Sequence, residues 1–359
     1  MTEKLTLTPR PAIADVRLTR PDWTSIARDP GAALRLDKNE NTDPILRGLI
    51  ADQLSSIDPA AALDYPEMAP TYHLLARHLG VEAQNILIAA GSDGAIRAVF
   101  EAFISPGDVV VHTEPTFAMY SVYSAMFGAT AVPIAYQRSN HGPSLSSSEF
   151  CAHILAVKPK LICLPNPDSP TGTEFRLGEL ETIVSTGAEV GALTLIDEAY
   201  FPFSDVTAIP LVSEFENLIV TRTFAKAWGL AGLRIGYLVA QSALAVLLHK
   251  VRPMYEVNGV AIALLGAMLD RAKDVEQSVG RINAGKVGFA ERMRALGLNV
   301  LDGSGNFIHV DFGEARQNVH LALRGRVLYR EDFKEPCLAG FSRFTTAPEP
   351  VMDSLADMI

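Results

Sequence analysis

Short apolar segments that alternate with amphipathic stretches constrain the fold of this chain more than any other feature. Five of them bear the marks of buried strands: NILIAAG from Asn85, DVVVHTEP from Asp108, KLICLPNP from Lys160, LTLIDEAY from Leu193 and NLIVTRTF from Asn217. Their spacing leaves room for a helix between successive strands, which is typical of a mainly parallel sheet covered by helices. The sequence therefore predicts an α/β fold.

The pattern changes along the chain and suggests three parts. Residues 1–35 contain four prolines and no sustained periodicity, so we interpret them as an N-terminal arm. Residues 36–252 carry the predicted strands and form a large ligand-binding domain. In residues 253–359, helical periodicity over 260–297 is followed by the strand-like FIHVDF from Phe307, which predicts a smaller α+β domain.

Composition excludes several classes of protein. The 359 residues carry a net charge of −10 and no dense basic run, which disfavours nucleic acid as a partner. No segment reaches the roughly 18 apolar residues of a membrane span, and the three cysteines form no disulfide or zinc pattern, so we expect a cytoplasmic protein. The eight histidines include no HExxH motif, and a GxSxG elbow is absent, so neither a metal site nor serine hydrolase chemistry is predicted.

The candidate chemistry lies where the predicted strands end. Lys226 follows one strand in RTFAKAWGLAGLRIGY, between Thr223 and Arg234, a hydroxyl and a cation that suit a phosphate group. Asp197 ends the strand LTLI, and Tyr200 lies three residues later. Taken alone, these residues are more commonly a solvated lysine, a helix cap and surface residues. Ligands of open α/β sheets bind beyond the carboxyl ends of strands, however, so the motifs lie where a site is expected.

GSDGAI, Gly91 to Ile96, follows another predicted strand and opens an amphipathic run, so its amides are placed to bind an anion. Its spacing departs from the GxGxxG fingerprint, which disfavours a nicotinamide dinucleotide.

Together these segments resemble the class I and II aminotransferases, and GLAGLR is most similar to their histidinol-phosphate aminotransferase branch. The resemblance implies a fold type I enzyme that uses pyridoxal 5′-phosphate. It implies that Lys226 holds the cofactor covalently and acts as the base, that Asp197 pairs with the ring nitrogen, and that Tyr200 bonds the ring oxygen. Ser92, Asp93, Thr223 and Arg234 would then bind or position the cofactor phosphate.

Further matches extend the implied site. Phe117 stands where a tyrosine commonly stacks on the ring, and Ser169, in LPNPDSPTG, stands where an asparagine commonly bonds the ring oxygen. Tyr65 matches a tyrosine that reaches the phosphate from a neighbouring subunit, which implies a homodimer. The resemblance also implies that the anionic group of the substrate is bound by Arg330, Arg343 and Asn39.

Three positions depart from the family pattern: Phe117, Ser169 and Ala225, the last where a serine commonly precedes the lysine. The first expectation for the amino donor is histidinol phosphate, with 2-oxoglutarate and glutamate as the keto acceptor and its product, in amino-acid biosynthesis. Paired arginines bind phosphates and carboxylates alike, so aromatic or other amino acids stay open as donors. Decarboxylation of a phospho-amino acid and cofactor binding without turnover are further alternatives.

Overall fold

The computed structural model describes residues 9–14 and 34–359, so most of the predicted arm lies outside the described residues. Its helices are α1 Pro11–Ala14, α2 Pro44–Ser55, α3 Ala60–Leu63, α4 Met68–Leu79, α5 Gly91–Phe103, α6 Met119–Phe127, α7 Ser147–Val157, α8 Leu177–Glu189, α9 Ser242–His249, α10 Gly259–Leu269, α11 Ala272–Ala295, α12 Arg316–Leu323 and α13 Glu349–Met358. Its strands are β1 Leu34–Arg35, β2 Ile86–Ala89, β3 Val109–Glu114, β4 Thr130–Ala135, β5 Gln137–Ser139, β6 Gly142–Ser144, β7 Leu161–Pro165, β8 Leu193–Asp197, β9 Leu218–Thr223, β10 Gly236–Ala240, β11 Asn299–Leu301, β12 Phe307–Asp311, β13 Val327–Leu328 and β14 Phe341–Thr345.

A seven-stranded sheet in the order β2-β10-β9-β8-β7-β3-β4 forms the centre of the molecule. Within this sheet β10 runs antiparallel to both of its neighbours, whereas the pairs β9-β8, β8-β7, β7-β3 and β3-β4 are parallel. The five segments predicted from their apolar runs are the strands β2, β3, β7, β8 and β9, which confirms the mainly parallel α/β sheet.

Both faces of this sheet are buried. Alternate strand residues enter two separate apolar clusters, with Ile162 and Ile196 in one and Leu161 and Leu195 in the other. A strand that is apolar on both faces reads as a continuous apolar run, which is why the sequence signal was strong. The carboxyl ends of β7, β8 and β9 lie side by side, and the polar residues that follow them meet there.

A second, antiparallel sheet contains β11, β12 and β14, and α11 packs against α13 beside it. The helical stretch 260–297 is two helices, because the chain breaks at the polar pair Asp270–Arg271 between the apolar α10 and the amphipathic α11. Strand β1 pairs with β13, so the segment after residue 33 joins this C-terminal part of the fold. No helix in residues 9–14 and 34–359 has the length and apolarity to cross a bilayer.

Candidate active site

Three consecutive residues, Asp37 to Asn39, form hydrogen bonds with several of the predicted site residues. The Lys226 Nζ atom donates a hydrogen bond to the Lys38 carbonyl oxygen at 2.7 Å. The Asn39 side-chain amide donates to the Tyr200 hydroxyl at 2.9 Å. Arg343 donates to the Asp37 carbonyl oxygen at 3.2 Å. The structure thus brings residues from three distant parts of the chain to one segment.

The backbone of Asn39 is fixed in the position from which its side chain contacts Tyr200. Its φ of 56° lies in the left-handed region, which asparagine tolerates better than most residues. Its backbone N–H donates to the Thr345 hydroxyl at 2.9 Å, and its carbonyl oxygen accepts from the Asn306 amide at 3.1 Å. The Tyr200 hydroxyl is therefore oriented by a residue that is itself fixed by the small sheet.

Asp197 is a buried carboxylate at the end of β8. Its two oxygens accept hydrogen bonds from the Thr221 hydroxyl at 3.0 Å and the Tyr120 hydroxyl at 3.1 Å. Burial raises the pKa of Asp197 to about 6, and the hydrogen bonds from Thr221 and Tyr120 oppose that rise. Such a group gains most from a cationic partner, which would offset the cost of its burial.

The start of α5 forms an anion cradle. Gly91 has a φ of 81°, and a Cβ atom there would lie 2.8 Å from the Arg234 Nη2 atom, so only glycine lets the guanidinium approach the helix start. Ser92 and Asp93 fill the first turn, where the Asp93 carboxylate accepts from the Tyr123 hydroxyl at 2.8 Å. Thr223 is the last residue of β9. It lies near the start of α5 because β10 pairs with both β9 and β2, the strand that precedes α5. Helix amides with a guanidinium suit a phosphate.

Phe117 and Ser169 lie in loops that follow the neighbouring strands β3 and β7. Phe117 is partly exposed and meets Tyr120 edge to face, with ring centroids 5.6 Å apart. The Ser169 hydroxyl lies 3.5 Å from Arg343. Arg343 and Arg330 exchange both backbone hydrogen bonds, at 2.8 and 3.1 Å, so the two arginines are direct cross-strand neighbours.

Tyr65 lies apart from these contacts. Its side chain is 73% exposed and stacks on Tyr255 with ring centroids 4.0 Å apart.

Tyr120 and Thr221, the two hydroxyl donors to Asp197, were not predicted from the sequence. Thr221 carried a signal, because it lies two residues before Thr223 and so shares its face of β9. Tyr120 carried none, because only the packing of α6 on the sheet brings it to Asp197.

These residues fit pyridoxal phosphate. The cradle at α5 matches its phosphate, the buried Asp197 matches a protonated ring nitrogen, and Lys226 offers an amine within the same site. The family model "Aminotransferase class I and II" matches residues 60–359. The chain belongs to this family.

Relatives of this aminotransferase agree with that placement. A curated histidinol-phosphate aminotransferase from Thermoanaerobacter pseudethanolicus is 33% identical over 323 residues, which cover 87% of this chain and 88% of that protein. The crystal structure of histidinol-phosphate aminotransferase from Sinorhizobium meliloti with pyridoxal-5′-phosphate is 26% identical, with a TM-score of 0.76 over 91% of this chain and 89% of that one.

The histidinol-phosphate aminotransferase structure from Clostridium acetobutylicum has a TM-score of 0.78 at 16% identity, covers 90% of this chain and 97% of that one, and supports the fold alone. The protein is a pyridoxal-phosphate-dependent aminotransferase of fold type I, which acts on an amino donor and a keto acid.

Proposed function

We propose that this aminotransferase takes histidinol phosphate as its amino donor and 2-oxoglutarate as its acceptor, releasing glutamate, within amino-acid biosynthesis. The observation that carries the proposal is the pairing of Arg330 and Arg343 at the edge of the site. Two guanidinium groups on residues joined by an isolated antiparallel bridge suit a dianionic phosphate, because each offers planar, bidentate donors. The name of the curated Thermoanaerobacter relative supports the same donor.

The two arginines differ in their surroundings. Arg343 donates to two neutral oxygens, those of Ser169 and the Asp37 backbone, and the negative charge of Asp37 favours its charged form. Arg343 is partly buried, and this burial lowers the pKa of its guanidinium. Arg330 pairs with Glu335 at 3.0 Å and lies over the Phe333 ring. We propose that Arg343 makes the principal contact with the phosphate and that Arg330 assists it.

When bound, pyridoxal phosphate supplies a protonated ring that withdraws electron density from the reacting substrate carbon. We propose that Lys226 anchors it and then carries a proton to and from that carbon, with its Nζ atom oriented by the Lys38 carbonyl. Asp197 holds the proton at the ring nitrogen. Tyr200, oriented by Asn39, donates to the ring oxygen, and Ser169 is placed to assist it.

The remaining proposed contacts position the cofactor. Phe117 would stack on the ring, where only its aromatic face is needed. Ser92, Asp93 and Thr223 with Arg234 would hold the phosphate at the start of α5, where the helix dipole favours an anion.

The donor is tested by incubating holoenzyme with histidinol phosphate, glutamate or phenylalanine and following the absorbance of the bound cofactor. Histidinol phosphate is expected to react fastest in the wild type. Arg343→Leu is expected to raise its KM by about 10- to 100-fold, since a hydrogen-bonded charge pair contributes about 1.5–3 kcal/mol. Arg324→Leu, which removes an exposed arginine after α12, serves as the control.

Faster reaction with phenylalanine, and a Michaelis constant unchanged by Arg343→Leu, would contradict the proposed donor. Release of carbon dioxide from a phospho-amino acid without formation of glutamate would indicate a decarboxylase instead.

We also propose that the protein is a homodimer in which Tyr65 reaches the cofactor phosphate of the neighbouring subunit. Tyr65, at 73%, and three other large side chains in the two segments that meet there are exposed: Leu63 at 83%, Met254 at 77% and Tyr255 at 52%. Contiguous exposed apolar groups favour a protein interface.

The dimer is tested by analytical ultracentrifugation. Wild type is expected at twice the mass of the chain, and the double variant Leu63→Asp, Met254→Asp is expected to be monomeric and to bind the cofactor more weakly. Leu321→Asp, at an exposed position on α12, is the control. A monomeric wild type with full cofactor affinity would refute the shared site.

A further inference from the structure

Asp168 is a fully buried carboxylate to which the site described above assigns no part. Its Oδ2 atom accepts hydrogen bonds from the Thr113 hydroxyl at 2.8 Å and the Tyr136 hydroxyl at 2.7 Å. Its Oδ1 atom accepts from the Thr116 hydroxyl at 3.1 Å. Three hydroxyl groups thus point at one acidic side chain. A carboxylate is suited to this arrangement because it accepts hydrogen bonds and donates none.

The donors tie together two loops of the site. Thr113 lies in β3, and Thr116 immediately precedes Phe117 in the loop that follows it. Asp168 immediately precedes Ser169 in the loop that follows β7. That second loop is closed on itself, because the Asp168 N–H donates to the Thr173 carbonyl at 2.9 Å and the Gly172 N–H donates to the Asp168 carbonyl at 2.8 Å. The Asp168 side chain is therefore a direct link between the loops that carry Phe117 and Ser169.

We propose that Asp168 is a positioning residue, which as a carboxylate fixes the loop of Phe117 against the loop of Ser169 and so sets both side chains about the cofactor ring. This inference rests on the proposed roles of Phe117 and Ser169 at the ring. Asp168 itself acts through these neighbours.

The charge on Asp168 makes the link sensitive to pH. Burial raises the pKa of Asp168 to about 7, and the hydrogen bonds from Tyr136, Thr113 and Thr116 oppose that rise. Once protonated, the carboxyl group carries a donor of its own toward hydroxyls that already donate, so at least one of them must turn away. The link is expected to loosen as pH falls below about 7.

The ionisable groups that interact with Asp168 do not titrate in the same range. Burial raises the pKa values of Tyr136 and Tyr120 well above their usual range. Burial likewise raises the pKa of Cys337 to about 11. These three groups stay protonated while Asp168 titrates.

Two variants, each of which removes one hydroxyl group that donates to Asp168, distinguish the link between the two loops from a general effect on packing. Thr116→Val removes the hydroxyl beside Phe117, whereas Tyr136→Phe removes an equally direct hydrogen bond to Asp168 from a residue that follows β4 and lies in neither loop. At pH 8.5, Thr116→Val is expected to weaken cofactor binding about tenfold, the equivalent of one hydrogen bond to a charged group. Tyr136→Phe is expected to change that affinity much less.

Asp168→Asn removes the charge of the side chain and keeps its shape. The amide oxygen can still accept from Thr113 and Tyr136, and the Thr116 hydroxyl can reverse to accept from the amide N–H. That reversal loses the same hydrogen bond that protonation of Asp168 loses, so we expect this variant to bind the cofactor at pH 8.5 more weakly than wild type. Between pH 8.5 and pH 6 the affinity of wild type is expected to fall more than that of Asp168→Asn.

The protein without cofactor provides an independent readout. The folded-state pKa of about 7 exceeds the unfolded value of an aspartate, so the folded state binds more protons between about pH 4 and pH 7. Asp168 therefore lowers the free energy of unfolding progressively as pH rises through this window. Asp168→Asn removes that loss, and its melting temperature relative to wild type is expected to be higher at pH 8 than at pH 5.

The decisive experiment is a titration of all three variants with pyridoxal phosphate at pH 6 and pH 8.5, followed by quenching of protein fluorescence. Equal effects of Thr116→Val and Tyr136→Phe, or the same pH dependence in wild type and Asp168→Asn, would overturn the inference. Phe117→Leu and Ser169→Ala are titrated alongside. If neither changes the affinity, the proposed ring contacts are wrong, and the identity of the amino donor has no influence on these measurements.

Discussion

Lys226→Ala is expected to lower kcat/KM by about 10⁴-fold, the upper end of the effect of removing a positioned acid–base group. The Lys226 amine has two proposed tasks, to anchor the cofactor and to move the substrate proton, and alanine performs neither. The Nζ atom also donates to the Lys38 carbonyl oxygen at 2.7 Å, a contact that orients the free amine. Steady-state transamination, with the absorbance spectrum of the cofactor-loaded protein, measures both tasks.

Lys250→Ala is the control for this variant, because Lys250 is exposed at the end of α9. The control is expected to retain the spectrum and the rate of wild type. Retention of the covalently bound cofactor signal by Lys226→Ala would show that a different lysine is the anchor.

The central sheet was predictable because its strands are apolar on both faces. Strand β10 was not predicted as a strand, although its sequence GYLVA is equally apolar. It follows the lysine motif directly and pairs antiparallel with β9 and β2. The insertion of a reversed strand between two parallel ones depends on long-range pairing, which a local pattern does not encode.

The helices of the C-terminal part were also only partly predictable from the local sequence pattern. The apolar and amphipathic pattern over 260–297 is helical throughout, but its two halves pack against different partners: α10 contacts α4, and α11 contacts α13. The helix break at Asp270–Arg271 follows from these separate contacts rather than from a proline or glycine in the sequence.

The candidate site also has parts that could be predicted from the sequence and parts that could not. Lys226, Asp197 and Tyr200 could be predicted as candidates because side-chain chemistry at strand ends is visible in the sequence. The carbonyl groups of Asp37 and Lys38 were not found, since any residue offers a carbonyl and only tertiary structure aims it. Backbone contacts of this kind hold Lys226 and Arg343 in place.

Asp197→Asn has the second largest expected effect, a loss of about 10²–10³-fold in kcat, in the range of removing one preorganised electrostatic group from an active site. Asparagine keeps the shape of the side chain, and its amide oxygen still accepts one of the hydrogen bonds from Thr221 and Tyr120. The negative charge and one of these two acceptors are lost. Without that charge, a proton on the ring nitrogen of the cofactor is no longer stabilised, and the ring withdraws electrons less strongly.

The same substitution is expected to stabilise the protein without cofactor. The folded-state pKa of Asp197, about 6, lies above that of an unfolded aspartate, so ionisation of the buried group lowers the free energy of unfolding as pH rises from about 4 to about 6. Asp197→Asn should therefore melt at a higher temperature than wild type at pH 8, while Asp270→Asn, at an exposed position, changes neither quantity. A variant that is more stable yet turns over slowly would show that the buried charge is retained for catalysis at the expense of stability; unchanged kcat would remove Asp197 from the proposed mechanism.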